Sequence, residues 1–146
     1  MGTQAKDFFK SDEKELILQA IREAELNTSG EIRVHIENHC KTEVLDRASV
    51  VFDLLKMQKT KDRNGVLFYL AVKDRKFAII GDIGINAKVP ANFWDEIKGG
   101  LQQNFKNGEF SKGLSQGILL AGHQLKHHFK HQKDDVNELS DEISFS

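Results

Sequence analysis

Behind Ser11, Asp12 and Glu13, which suit the cap and the positive end of a helix, Leu16, Ile17, Ala20, Ile21 and Ala24 recur at helical spacing. Asn27-Thr28-Ser29-Gly30 supplies the stop. From Glu31 the period changes to two. Ile32, Val34 and Ile36 alternate with Arg33, His35 and Glu37, which predicts a strand with one buried face. Val44, Ala48, Val51, Phe52 and Leu55 mark a second helix. After the polar stretch Lys59 to Asn64, the run Gly65 to Val72 is almost wholly apolar, as a central strand covered on both faces would be. Lys73-Asp74-Arg75-Lys76 turns it into Phe77 to Gly81, a third strand that completes an antiparallel hairpin.

Asp82 to Val89 reads as a loop, and Pro90 fits the first position of the next helix. Phe93, Trp94, Ile97, Leu101 and Phe105 form its buried side, and Asn107-Gly108 ends it. The last helix carries Phe110, Leu114, Ile118, Ala121, Leu125 and Phe129. Gly113 and Gly117, one turn apart within it, point to close packing against a neighbour. The expected order is α-β-α-β-β-α-α, one sheet with helices packed on its faces. Residues 1–130 make a single domain, and 131–146 a polar C-terminal tail in which Ile143 and Phe145 are able to dock.

Composition narrows the function classes. The chain has 146 residues, 39% apolar and 29% charged, with a net charge of −1. That size and balance suit one globular domain and give no basic face for nucleic acid. The single cysteine, Cys40, excludes an intramolecular disulfide and fits a reducing compartment. The amino-terminal stretch has no signal-type apolar run, and Lys6 breaks the myristoylation pattern that Met1-Gly2 begins. No segment approaches the roughly 18 uninterrupted apolar residues of a membrane helix. The expected location is the cytoplasm.

The predicted topology concentrates acids. A crossover helix makes the first two strands parallel, and the hairpin reverses the third. Gly30-Glu31, Asp62 to Gly65 and Gly81-Asp82 therefore share one edge of the sheet. Carboxylates gathered there repel one another unless a cation or a basic group intervenes. Hard oxygen donors without cysteine suit Ca²⁺ or Mg²⁺. The candidate metal ligands are Glu31, Asp62, Asn64 and Asp82, with Arg63 and Lys88 as competing partners for the acids.

Five ordered motifs carry a resemblance. They are Ser29-Gly30-Glu31-Ile32-Arg33-Val34, Asp62-Arg63-Asn64-Gly65-Val66-Leu67, Lys73-Asp74-Arg75-Lys76-Phe77, Gly81-Asp82-Ile83-Gly84-Ile85 and Gly108-Glu109-Phe110-Ser111-Lys112-Gly113-Leu114. Together they resemble TPM domains over nearly the whole chain. The resemblance implies a three-layer α/β/α sandwich with a small mixed sheet, divalent-cation binding and, for some plant relatives, acid phosphatase activity. By position, Asp62 matches the family's acid before the Asn-Gly pair, and Asp82 lies in its glycine-bearing loop. Asn86 stands where many relatives have a glutamate.

Two functions follow. One is a cation-binding, non-catalytic or regulatory module that engages another protein. The other is a metal-dependent phosphatase with Arg63 or Arg33 holding phosphate and metal-bound water as nucleophile. No Walker loop, Cys-x5-Arg loop or Gly-x-Ser-x-Gly elbow is present. His123, His127 and His131, with His128 beside them, are spaced to share a helical face, and also suit a helix C-terminus. Cys40 lies beside His39 and Lys41, with no base or oxyanion donor placed for it.

Overall fold

The structure, a computed structural model, describes residues 5–26, 28–130 and 143–146. Its main elements are α1 (Ser11–Glu25), β1 (Glu31–Glu37), α2 (Val44–Leu54), β2 (Gly65–Ala71), β3 (Lys76–Gly81), α3 (Ile83–Asn86), α4 (Asp95–Lys106), α5 (Phe110–Leu125) and β4 (Ser144–Phe145). The sheet runs β3-β2-β1-β4. β1 and β2 are parallel, with Glu31 opposite Gly65, and β2 and β3 are antiparallel, with Val66 opposite Gly81. The expected α/β/α sandwich with a mixed sheet is the observed architecture. Among the described residues no helix is long and apolar enough to cross a membrane.

Alternation along the strands separates two cores. Ile32, Val34, Ile36, Val66, Phe68 and Leu70 face α1, α4 and α5. Leu67, Tyr69, Ala71 and Ala78 face α2. Every residue of β2 is buried, which is why its sequence lacks alternation. α1 and α5 approach at Gly122, where a Cβ would lie 2.6 Å from the Ala24 Cβ. Gly113 and Gly117 also pack closely, against Phe105 and Leu101.

Several features differ from the sequence reading. The cap of α1 is Lys10, one residue before Ser11, and its N–H donates to Glu13 Oε1 at 2.9 Å. The loop after β3 contains α3, capped by the Asp82 side chain. Pro90 does not begin α4: Phe93 N–H donates to Pro90 O and Asp95 N–H to Asn92 O, so two turns precede the helix. Those turns place the Phe93 and Trp94 rings edge to face at 4.8 Å, with Trp94 lying on Gly81. Burial of the two rings outweighs the cap preference of proline. Finally, the polar face of β1 is also buried except at Arg33: Glu31, His35 and Glu37 are each at most 5% exposed.

β4 is the strand absent from the pattern reading. It lies parallel to β1, pairing His35 with Ser144 and Ile36 with Phe145, and Ser146 N–H donates to Ile36 O. Ile143 and Phe145 pack on the larger core, so their docking is as expected.

Candidate functional site

The edge selected by topology is assembled as the strand order requires. Glu31 N–H donates to Asn64 O at 3.3 Å and Asp82 N–H to Gly65 O at 3.0 Å, which ties the three segments together. Thr60 shapes the approach to β2: its carbonyl accepts from Arg63 N–H and its hydroxyl from Asn64 N–H. Arg63 adopts a positive φ of 50°, a turn conformation that leads its side chain back over β3. Gly84 presses on this turn. Its N–H donates to Arg63 O, and a Cβ there would lie 2.1 Å from Asp62 O.

Within this frame Glu31, Asn64 and Asp82 are buried and Asp62 is exposed. Arg63 clamps Asp82 through two parallel bonds, Nε to Oδ2 at 2.7 Å and Nη2 to Oδ1 at 2.9 Å. Asp82 Oδ1 also accepts from Ile83 N–H at 2.7 Å. The Asn64 side-chain amide donates to Ser29 Oγ. The four predicted residues therefore share an edge, while Asp82 is engaged internally and Asp62 stands out in solvent. Beside the clamp a cleft of about 200 Å³ opens over Phe52, Ile80 and Ile83, with Asp53 and Gln58 at its rim.

A second polar cluster, at the other end of β1, escaped the sequence reading. Glu37 accepts two bonds from Arg47 at 2.8 Å each and one from the Tyr69 hydroxyl. Burial works against the Glu37 charge, but the Arg47 and Tyr69 bonds outweigh it and hold the carboxyl below its ordinary range. Burial, and then the bond to Glu37, push the Tyr69 phenol upward. His35 stacks beside Tyr69, with Nδ1 2.7 Å from Ser144 Oγ and Nε2 2.7 Å from Ser146 Oγ. Burial lowers the imidazole to about 4. No spacing signal links Glu37 to Arg47 or Tyr69. The one hint was a histidine and a glutamate alternating with core residues.

The remaining candidates are dispersed. His123 and His127 are exposed with ring centroids 5.9 Å apart, His128 packs on Phe93, and His131 lies outside the described residues. Cys40 is buried and its thiol donates to Thr42 O. Asp74 joins this loop, accepting from Cys40 N–H and meeting His39 Nδ1 at 2.9 Å. Among the described residues no group of three or more His, Cys, Asp or Glu is placed to hold a metal ion.

The profile of the TPM domain matches residues 3–124. The chain belongs to the TPM-domain family. This TPM domain is similar in structure to the BA42 protein from the psychrophilic bacterium Bizionia argentinensis, with 48% identity, 97% of each chain covered and a TM-score of 0.92. Two more distant structures share the fold. The N-terminal domain of a P. gingivalis protein has 19% identity and a TM-score of 0.69, over 85% of this chain and 82% of that one. The N-terminal domain of the cg2496 protein from Corynebacterium glutamicum has 13% identity and a TM-score of 0.65, over 80% and 73%. No protein of curated function matches the chain.

The donor set can be tested against the divalent ion that the family resemblance implies. In the observed arrangement it does not fit. Both Asp82 oxygens already accept from Arg63, Asp62 is exposed to solvent, and among the described residues no three such acids converge. A hard cation needs several free oxygens converging on one point.

Proposed function

We propose that this TPM domain is a non-catalytic interaction module whose Asp82 edge is closed by an internal salt bridge. The supporting observation is the Arg63–Asp82 clamp, which commits a 4% exposed carboxylate to the architecture of its own loops. A metal-dependent phosphatase needs such a carboxylate to hold its ion, and ion-bound water as the nucleophile. The test is hydrolysis of phosphate esters by wild type and Asp82→Asn, in chelator and in Ca²⁺ or Mg²⁺. The module reading expects no turnover that depends on both the metal and Asp82. Metal-dependent turnover abolished by Asp82→Asn overturns it.

A second reading is uptake of Ca²⁺ or Mg²⁺ at Glu31, Asp62, Asn64 and Asp82, favoured by the burial of three of these groups at one sheet edge. It requires the ion to displace the Arg63 guanidinium from Asp82. Titration of either ion into chelator-treated protein is then expected to shift the amides of Glu31, Asp62 to Asn64 and Asp82 to Asn86. Arg63→Ala should tighten that binding. Amides that stay still in both proteins at millimolar ion would eliminate this reading.

A further inference from the structure

β3 is an outer strand of the sheet, and its free side can be read from one bond. Asp82 N–H donates to Gly65 O, which sets the parity of the antiparallel ladder. Ile80, Ala78 and Lys76 then exchange bonds with β2, and Gly81, Ile79 and Phe77 turn their N–H and C=O groups outward. The Gly81 carbonyl is met by the Asn86 side-chain amide at 3.2 Å. Among the described residues nothing meets the outward main-chain groups of Phe77 or Ile79.

A groove of about 300 Å³ adjoins this edge, lined by Arg75, Phe77, Gln102, Phe105, Lys106 and Phe110. Its floor is aromatic, with Phe105 edge-on to Phe77 at 5.3 Å and tilted on Phe110 at 5.1 Å. Its charges are Arg75 and Lys106, both exposed, with Lys73 and Lys76 flanking on the same hairpin. Asp74, the acid of that turn, faces away to His39 and Cys40. Among the described residues no carboxylate pairs with Arg75 or Lys106. Phe77 belongs to both features, since its main chain faces the free edge and its ring floors the groove.

We propose that the β3 edge and this groove form one docking site for an acidic, extended segment of a partner protein. The segment adds a fifth strand along Phe77 to Ile79. The residue opposite Phe77 projects on the same sheet face, so an apolar side chain there enters the groove. Carboxylates flanking it meet Arg75 and Lys106. A peptide fits these features better than a small anion, because the outward amide and carbonyl groups accept main-chain partners in register. The inference deepens the module reading by naming its surface and the chemistry of its partner. It is separable from that reading, because the hydrolysis and cation assays report on the Asp82 edge alone.

The probe is a short synthetic peptide of alternating Thr and Val with one central Phe flanked by Asp, titrated into the isotope-labelled full chain. Expected are saturable NMR shifts at Arg75 to Ile80 and slowed hydrogen exchange of the Phe77 and Ile79 amides. Lys106→Glu and Arg75→Glu, at exposed positions, should each weaken binding about tenfold, and a Lys-flanked peptide should recover affinity for the charge-reversed chains. A second probe leaves the protein untouched: the same peptide N-methylated where it would donate to β3 should lose binding. The proposal is overturned by absence of shifts at millimolar peptide, or by undiminished binding of the N-methylated peptide. It is equally overturned if a small aromatic carboxylate reproduces the shifts while the Phe77 and Ile79 amides exchange as before.

Discussion

Acid should weaken this fold through one imidazole. His35 is 4% exposed, and its two ring nitrogens are engaged by the hydroxyls of Ser144 in β4 and of Ser146 just after it. Burial holds its pKa near 4 rather than 6.5; Glu37 pulls it upward, and Arg47 and Arg33 push it down. The unfolded chain therefore takes up a proton first as pH falls. The contribution of the neutral ring is intact above about 6.5 and is lost progressively towards 4. That interval of about 2.5 pH units, at about 1.36 kcal/mol each, sets a ceiling of about 3.4 kcal/mol. At pH 4.5 the folded ring is itself partly protonated, and the strand that covers it is only two residues long and half-buried, so about 2 kcal/mol is the expected loss between pH 7.5 and 4.5. The assay is urea unfolding of wild type and His35→Gln at both pH values, with the folded-state ring titrated by NMR. Glutamine keeps a donor and an acceptor for the two serines but does not titrate. Wild type should lose about 2 kcal/mol more than the variant over this interval. Equal losses, or a ring that titrates near 6.5 in the folded protein, would refute the reasoning.

Four other substitutions test the packing of the two clusters and of the helices. Glu37→Ala should cost about 2 kcal/mol by urea unfolding, because Arg47 and the Tyr69 hydroxyl lose their shared acceptor; the partial exposure of Arg47 keeps the figure below that of a fully buried pair. Gly84→Ala would bring a Cβ within 2.1 Å of Asp62 O, and should cost at least about 2 kcal/mol while shifting the Asp62 to Asn64 amides. Gly122→Ala, facing Ala24, should likewise lower the melting temperature. Gly99→Ala in α4, where nothing lies within 4 Å of the added Cβ, should raise stability by about 0.5–1 kcal/mol.

The elements whose identity depends on local periodicity were legible in the chain. Apolar spacing marked α1 and α5, alternation marked β1, and the unbroken apolar run marked β2 as central. The hairpin and the crossover then brought Glu31, Asn64 and Asp82 to one edge without any side-chain information. What those residues do there was decided only by tertiary structure. Arg63 is adjacent in sequence to both Asp62 and Asn64, yet the αL turn and the return of β3 direct its guanidinium onto Asp82. The pairing of Glu37 with Arg47 and Tyr69, and of His35 with Ser144 and Ser146, was equally hidden. Hydropathy registers each of these polar groups as seeking water, and burial became tolerable only when distant segments supplied hydrogen bonds in its place. β4, two residues long, is too short for periodicity to reveal; the exposed edge of β1 selects it. Local sequence thus determines which faces are apolar, and the three-dimensional meeting of those faces determines which polar groups are satisfied, and by whom.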